Sequence, residues 1–331
     1  KYEIDLLALR TTIEHSANID EFLKTKKDII HLLKEAINFG IKNPRNILGF
    51  IVGSEEFNSE EKRLSSVGER GLYLAHNDLR DRRFQDGGDW WSLESREDIE
   101  VGMLLDVEGH GFGAAFQKIL IKKGFELVQK EPEVKRKEAE IKLDEMFGDI
   151  YYEDGGTSAA FTKVEVFKIK DKEGNVIQKK VKLRQNGENI ILIYLPEKKE
   201  IYFTGLYDDG LSQNFINLSE LKPFENKNIE SGQKFGFGFW GEVNLKTGNE
   251  NIGKEGEYIL PNLAEIIIAS DGISDEHNKL FEFDNLQEVL KSFLNESGPK
   301  DKDRLVNFLR KIFTNPKIKL GDDLTFIEVG R

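Results

Sequence analysis

Four short clusters in which acids sit beside glycine constrain this chain more than any other feature. They read Gly87-Gly88-Asp89, Asp106-Val107-Glu108-Gly109-His110-Gly111, Ser270-Asp271-Gly272 and Gly321-Asp322-Asp323. Two of them close apolar runs with the look of buried strands: Val101, Met103, Leu104 and Leu105 lead into Asp106, and Ile266 to Ala269 lead into Ser270. A third opens an alternating run, Leu324 to Val329. Carboxylates at strand ends, each next to a residue that lets backbone come close, repel one another if they converge without a cation. Brought together they form an all-oxygen cage suited to Mg²⁺ or Mn²⁺. The fold must therefore bring distant strand ends to one place.

The rest of the chain fits a large domain around that requirement. It has 331 residues, 38% of them hydrophobic, enough for a sizeable core. Without cysteine there is no disulfide, thiolate zinc site or cysteine nucleophile, as expected of a reducing, cytoplasmic setting. A net charge of −12 argues against nucleic acid and gives no pull toward anionic membranes. No apolar run in the chain is long enough to span a bilayer. The first residue is Lys1, which leaves room for a longer parent protein.

Asn18 or Asp20 can cap a helix carrying Phe22, Ile29, Ile30, Leu33, Ile37 and Phe39, stopped by Gly40. A weak strand pattern lies between Leu64 and His76, and a helix is expected after Gly111 through Leu127. A second, polar helix opens at Pro132. From Gly156 the pattern turns to strands, with a hairpin at Lys172-Glu173-Gly174-Asn175 and two more strands over Asn189–Leu195 and Ile201–Leu206. Helices are expected around Leu286–Leu294 and Asp303–Phe313.

In this order the clusters resemble the signatures of the metal-dependent protein phosphatases, the type 2C (PPM) family, and most of all its SpoIIE-like bacterial branch. Gly87-Gly88-Asp89-Trp90-Trp91 is similar to the Gly-Gly-Asp-aromatic motif. Asp106 through Ala115 follows Asp-Val-x-Gly-His-Gly-x-x-Ala-Ala without a gap. Gly156-Thr157-Ser158-Ala159, Ala269-Ser270-Asp271-Gly272 and Gly321-Asp322-Asp323-Leu324-Thr325 resemble the remaining three. The resemblance runs from about Arg63 to Arg331.

It implies an α+β fold, a four-layer α-β-β-α sandwich with two mostly antiparallel sheets. A catalytic domain would cover 61–331, with a β-rich insertion near 167–206, and a helical, regulatory segment would cover 1–60. It further implies two Mn²⁺ or Mg²⁺ ions. Asp106 would bridge them, Asp271 and Asp322 would hold one, and Asp89 with the Val107 carbonyl the other. Asp322 and Asp323 compete for one role, and family register favours Asp322. The catalytic set is Asp106, Glu108 and His110. Eukaryotic members carry a histidine at the position of Glu108, so the proton donor stays open between Glu108 and His110. Arg82 and Arg83 stand near the place of the family's phosphate-binding arginine, out of register. The implied reaction is hydrolysis of phosphoserine or phosphothreonine in a protein, through water activated at a dinuclear site, in bacterial stress or sporulation signalling. The implied partner is a phosphorylated regulator such as an anti-sigma-factor antagonist. The competing readings are a catalytically inactive domain of the same fold that binds a partner, and a two-metal hydrolase of small phosphoesters.

Overall fold

The computed structural model describes residues 15–25, 27–28, 70–74, 89–107, 112–132, 134–136, 138–139, 142–143, 159–186, 189–203, 216–217, 222–223, 254–273, 286–296, 304–315 and 323–331. Within them lie helix α1 (Ile19–Lys24), strands β1 (Gly71–Leu74), β2 (Trp90–Arg96) and β3 (Ile99–Val107), and helix α2 (Phe112–Lys130). Strands β4 (Ala159–Lys170), β5 (Val176–Asn186), β6 (Ile190–Leu195), β7 (Glu200–Phe203), β8 (Ile216–Asn217) and β9 (Lys222–Pro223) follow. Then come β10 (Lys254–Pro261), β11 (Glu265–Ala269), helices α3 (Leu286–Asn295) and α4 (Arg304–Phe313), and β12 (Leu324–Val329).

The strands form two sheets. One has seven strands in the order β1-β12-β11-β6-β7-β8-β9, the other five in the order β10-β5-β4-β3-β2. Every pairing among the described strands is antiparallel. The sheets face each other across a core of Leu104, Val164, Val166, Val181 and Leu183 from one and Ile191, Ile193, Ile266, Ile268, Ile327 and Val329 from the other. On its other face the seven-stranded sheet packs Leu192, Ile267 and Phe326 against Val289, Phe293, Leu305 and Leu309 of α3 and α4. The alternation of β11 and β12 explains this: a strand buried on both faces must be apolar at every position. Thr325, Glu328 and Glu265 are the exceptions, and Glu265 is used. Its carboxylate accepts from the backbone N–H groups of Arg304 (3.2 Å) and Leu305 (2.9 Å), capping α4.

The outer face of the five-stranded sheet is covered by α2, whose Phe125 stacks on Phe161 of β4 with centroids 4.5 Å apart. The result is the expected α+β fold, an α-β-β-α sandwich. The β4–β5 hairpin closes through Asp171, whose side chain accepts from the N–H groups of Glu173 (2.9 Å) and Asn175 (2.8 Å). Within 167–203 lie β5, between β4 and β10, and β6, between β11 and β7.

In the N-terminal segment Asn18 caps α1, its Oδ1 accepting from Glu21 N at 3.0 Å. At the other end of α1 the Thr25 hydroxyl donates to Phe22 O at 2.6 Å, and Lys27 and Asp28 beyond it are helical. Residues 29–40 of the expected helix lie outside the described residues. Ile19 and Phe22 are buried, and α1 rests on α2.

Candidate functional site

Side-chain alternation decides where the acids point. A β-carbon on Gly102 would collide with Val329 and crowd Ile268, so Gly102 faces the opposite sheet. Two residues on, Leu104 belongs to the inter-sheet core, and Asp106 continues the same face at the end of β3. On β2, Trp91 and Leu93 pack on that core, which puts Asp89 on the same side. The register pairs Trp90 with Leu105, and one step further it sets Asp89 opposite Asp106. In the other sheet the inward rows are Ile266, Ile268, Ser270 and Val329, Ile327, Thr325, Asp323. Ser270 N donates to Thr325 O, and Thr325 N donates to Ser270 Oγ, both at 2.9 Å. The apolar seam between the sheets therefore ends in acids and hydroxyls from both sides.

Asp89 is 4% exposed and Asp323 3%. Burial pushes the Asp89 carboxyl up to about 8, the charge of Asp323 adds to the rise, and the polar groups of Thr325, Ser270 and Asp106 oppose it. Asp89 Oδ2 and Thr325 Oγ1 are buried without a hydrogen-bond partner. Crowded carboxylates with an unsatisfied oxygen and only oxygen neighbours suit a hard divalent cation, whose charge would reverse the cost of burying them. Among the described residues no three His, Asp or Glu side chains already converge as a metal cluster. Asp322, Glu108 and His110 lie outside the described residues, as do Arg82 and Arg83.

Asp271 opens a single 3-10 turn directly after Ser270. Gly272 follows it, pressed against the backbone carbonyl of Asp323 so that any β-carbon would overlap that oxygen. The Ser-Asp-Gly and Gly-Asp-Asp motifs are thus joined backbone to backbone. Val107, the last residue of β3, is buried and pairs with Ala159. Of the expected site residues, the structure brings Asp89 and Asp106 together and sets Asp271 beside Asp323, the residue before β12. Asp323 is an acid next to Asp89, while Asp322, its rival for one role, lies outside the described residues. Ser270 and Thr325 were not singled out from sequence as polar neighbours of Asp89. Their signal was parity: each sits two residues beyond an inward isoleucine.

No protein-family model matches the sequence, and no curated protein does. Several solved structures are similar in fold. The PP2C phosphatase domain of SpoIIE from Bacillus subtilis, with a fragment of its regulatory domain, is 12% identical with a TM-score of 0.46, over 78% of this chain and 61% of that one. The RsbU and RsbW domains of Rv1364c from Mycobacterium tuberculosis are 15% identical with a TM-score of 0.49, over 78% of this chain and 58% of that one. RsbX in complex with magnesium is 13% identical with a TM-score of 0.41, over 80% of this chain and 96% of that one. The chain spans less than two thirds of the first two.

Proposed function

We propose that this chain is a metal-dependent protein serine/threonine phosphatase that uses two Mn²⁺ or Mg²⁺ ions. One observation carries the reading: Asp89 and Asp106 from one sheet meet Asp323, Ser270 and Thr325 from the other where the inter-sheet core ends. Asp106, Asp89, the Val107 carbonyl, Asp271 and Asp322 are the proposed ligands. Bound divalent ions supply a water acidic enough to attack phosphorus near neutral pH and offset the charge of the phosphoryl group.

The chain's own residues do the rest. The buried Ser270 hydroxyl, accepting from Thr325 N, ties the two acidic strand ends together. Glu108 or His110 protonates the departing serine or threonine oxygen. The substrate is a phosphorylated protein, which the SpoIIE-like motifs suggest is a regulator such as an anti-sigma-factor antagonist. Residues 1–60 regulate the site through α1.

The test is hydrolysis of a phosphoserine peptide beside a generic aryl phosphate, with Mn²⁺, Mg²⁺, Zn²⁺ or excess chelator. Activity on both substrates with Mn²⁺ or Mg²⁺, abolished by chelator, is expected. Activity in chelator, or with zinc alone, rules the site out. Turnover of the aryl ester only indicates a hydrolase of small phosphoesters, and metal binding without turnover a partner-binding domain.

A further inference from the structure

A second polar stratum lies directly beneath the acids. Thr162 on β4 shares the inward face of Val164 and Val166, and Gln185 on β5 that of Val181 and Leu183. The two stand opposite each other, and Thr162 also pairs with Leu104, two residues before Asp106. Asn189 enters β6 on the face of Ile191 and Ile193. Gln185 Nε2 donates to Asn189 O, linking the two sheets. Because Ile190 pairs with Ala269, Asn189 falls next to Ser270, whose own neighbour is Thr325. Thr162, Asn189, Ser270 and Thr325 are each 0% exposed.

Several of these groups have no partner. Thr162 Oγ1, both side-chain polar atoms of Asn189, Thr325 Oγ1 and Asp89 Oδ2 are all buried without a hydrogen bond. Buried polar atoms are seldom left so, and here they gather in one stratum between an apolar core and an acidic rim. What satisfies them must both donate and accept, because an amide nitrogen needs an acceptor while a carboxylate needs a donor. A cation serves only the oxygens. An apolar group serves none. Water is the small species that serves both.

We infer that Thr162, Asn189 and Thr325 bind a layer of ordered internal water that hydrogen-bonds the buried oxygen of Asp89, making Asn189 and Thr162 positioning residues for the metal site. A donor from below holds that carboxylate in one orientation, as an outer hydrogen-bond partner does for a metal ligand. The positioning role rests on the phosphatase reading; the water layer itself does not.

Two measurements test it on the full chain. Magnetic relaxation dispersion of water oxygen-17 reports long-lived internal water, and calorimetric titration with Mn²⁺ alone reports affinity. Asn189→Leu and the near-isosteric Thr162→Val should each lower the dispersion amplitude relative to wild type. Each should also raise the Mn²⁺ dissociation constant, by about tenfold for Asn189→Leu. Thr162→Val keeps the test available if the larger change fails to fold. An amplitude unchanged in the folded variants, or an unchanged dissociation constant, overturns the proposal. A wild-type chain that binds no Mn²⁺ sinks the phosphatase reading instead, and the amplitudes still decide whether the layer exists.

Discussion

Gly272 lies so close to the backbone carbonyl of Asp323 that a β-carbon at this position would overlap it. The contact fixes the turn carrying Asp271 against the start of β12, so the third and fourth acidic motifs form one unit. Gly272→Ala must push Asp323 aside. The expected outcome is a loss of about 1–3 kcal/mol of stability, of the kind overpacking causes, together with weaker Mn²⁺ binding. Thermal melts and calorimetry check both. A variant that melts and binds like wild type would show that the two motifs are not mechanically joined.

Asp89 and Asp106 face each other across β2 and β3 but should respond differently to loss of charge. Asp106→Asn should abolish phosphatase turnover, since the proposed ligand would have to be anionic to offset the charge of divalent ions. Asp89→Asn should weaken Mn²⁺ binding yet stabilise the metal-free protein. Its folded carboxyl titrates near 8, well above the ordinary aspartate value. The folded state then binds more protons than the unfolded state between the two values, and stability falls as pH rises through that window. Asp89→Asn removes this slope. Chelator-treated protein melted at pH 5 and pH 8 reads it directly: wild type should lose stability toward pH 8, and the variant should lose less. Parallel losses would mean that Asp89 is not the buried acid responsible.

A second buried carboxylate has the opposite sign. Glu100 sits at the start of β3, far from Asp106 along the same strand, and Arg70 forks onto it at 2.7 and 2.5 Å. Ser95 Oγ donates to it at 2.8 Å, and the Gly330 and Arg331 N–H groups also donate to it. Burial pushes this carboxyl up, but Arg70, Ser95 and Gly330 outweigh burial and leave it below the usual range. Its contribution is present above the ordinary glutamate value and is lost as pH falls through the lowered folded value. Glu100→Ala should cost about 3–5 kcal/mol, because it strands Arg70. Arg70→Met in the same background should recover part of that loss in a double-mutant cycle. An additive cycle would show that the two residues are uncoupled.

The proton donor can be separated from the ligands by leaving group. Replacing the true donor among Glu108 and His110 should slow phosphoserine hydrolysis by about 10²-fold or more and leave aryl phosphate hydrolysis much less affected, because only the alkoxide needs protonation. Equal losses on both substrates would assign the residue to structure.

The sheets and the acids were legible in the sequence for a physical reason. β11 and β12 are apolar at nearly every position because they are buried on both faces, and each acid marks where such a strand leaves the core. The 3.6-residue period likewise marked α2, α3 and α4. One feature was not legible. The polar stratum of Thr162, Gln185 and Asn189 is written as isolated polar residues within otherwise ordinary strands; it becomes a layer only once both registers are set. Of the expected N-terminal helix the structure describes α1 and the helical pair Lys27–Asp28, and residues 29–40 lie outside the described residues.

That short helix gives the last test. Phe22 is fully buried, Lys142 pairs with Asp20 at 3.6 Å, and α1 packs on α2, the helix that follows the Asp106 motif in the chain. If the N-terminal segment regulates the site, its influence passes through α2 to the end of β3. Phe22→Ala should cost about 3–5 kcal/mol as a buried truncation, and that loss alone says nothing about regulation. Mn²⁺ affinity distinguishes the two roles. Titrating Mn²⁺ against turnover at a temperature where the variant remains folded should give a midpoint displaced from wild type. Lys142→Ala, which breaks only exposed pairs to Asp20 and Glu138, should leave it in place. Superimposable curves for wild type and Phe22→Ala would mean that α1 covers α2 and does nothing further.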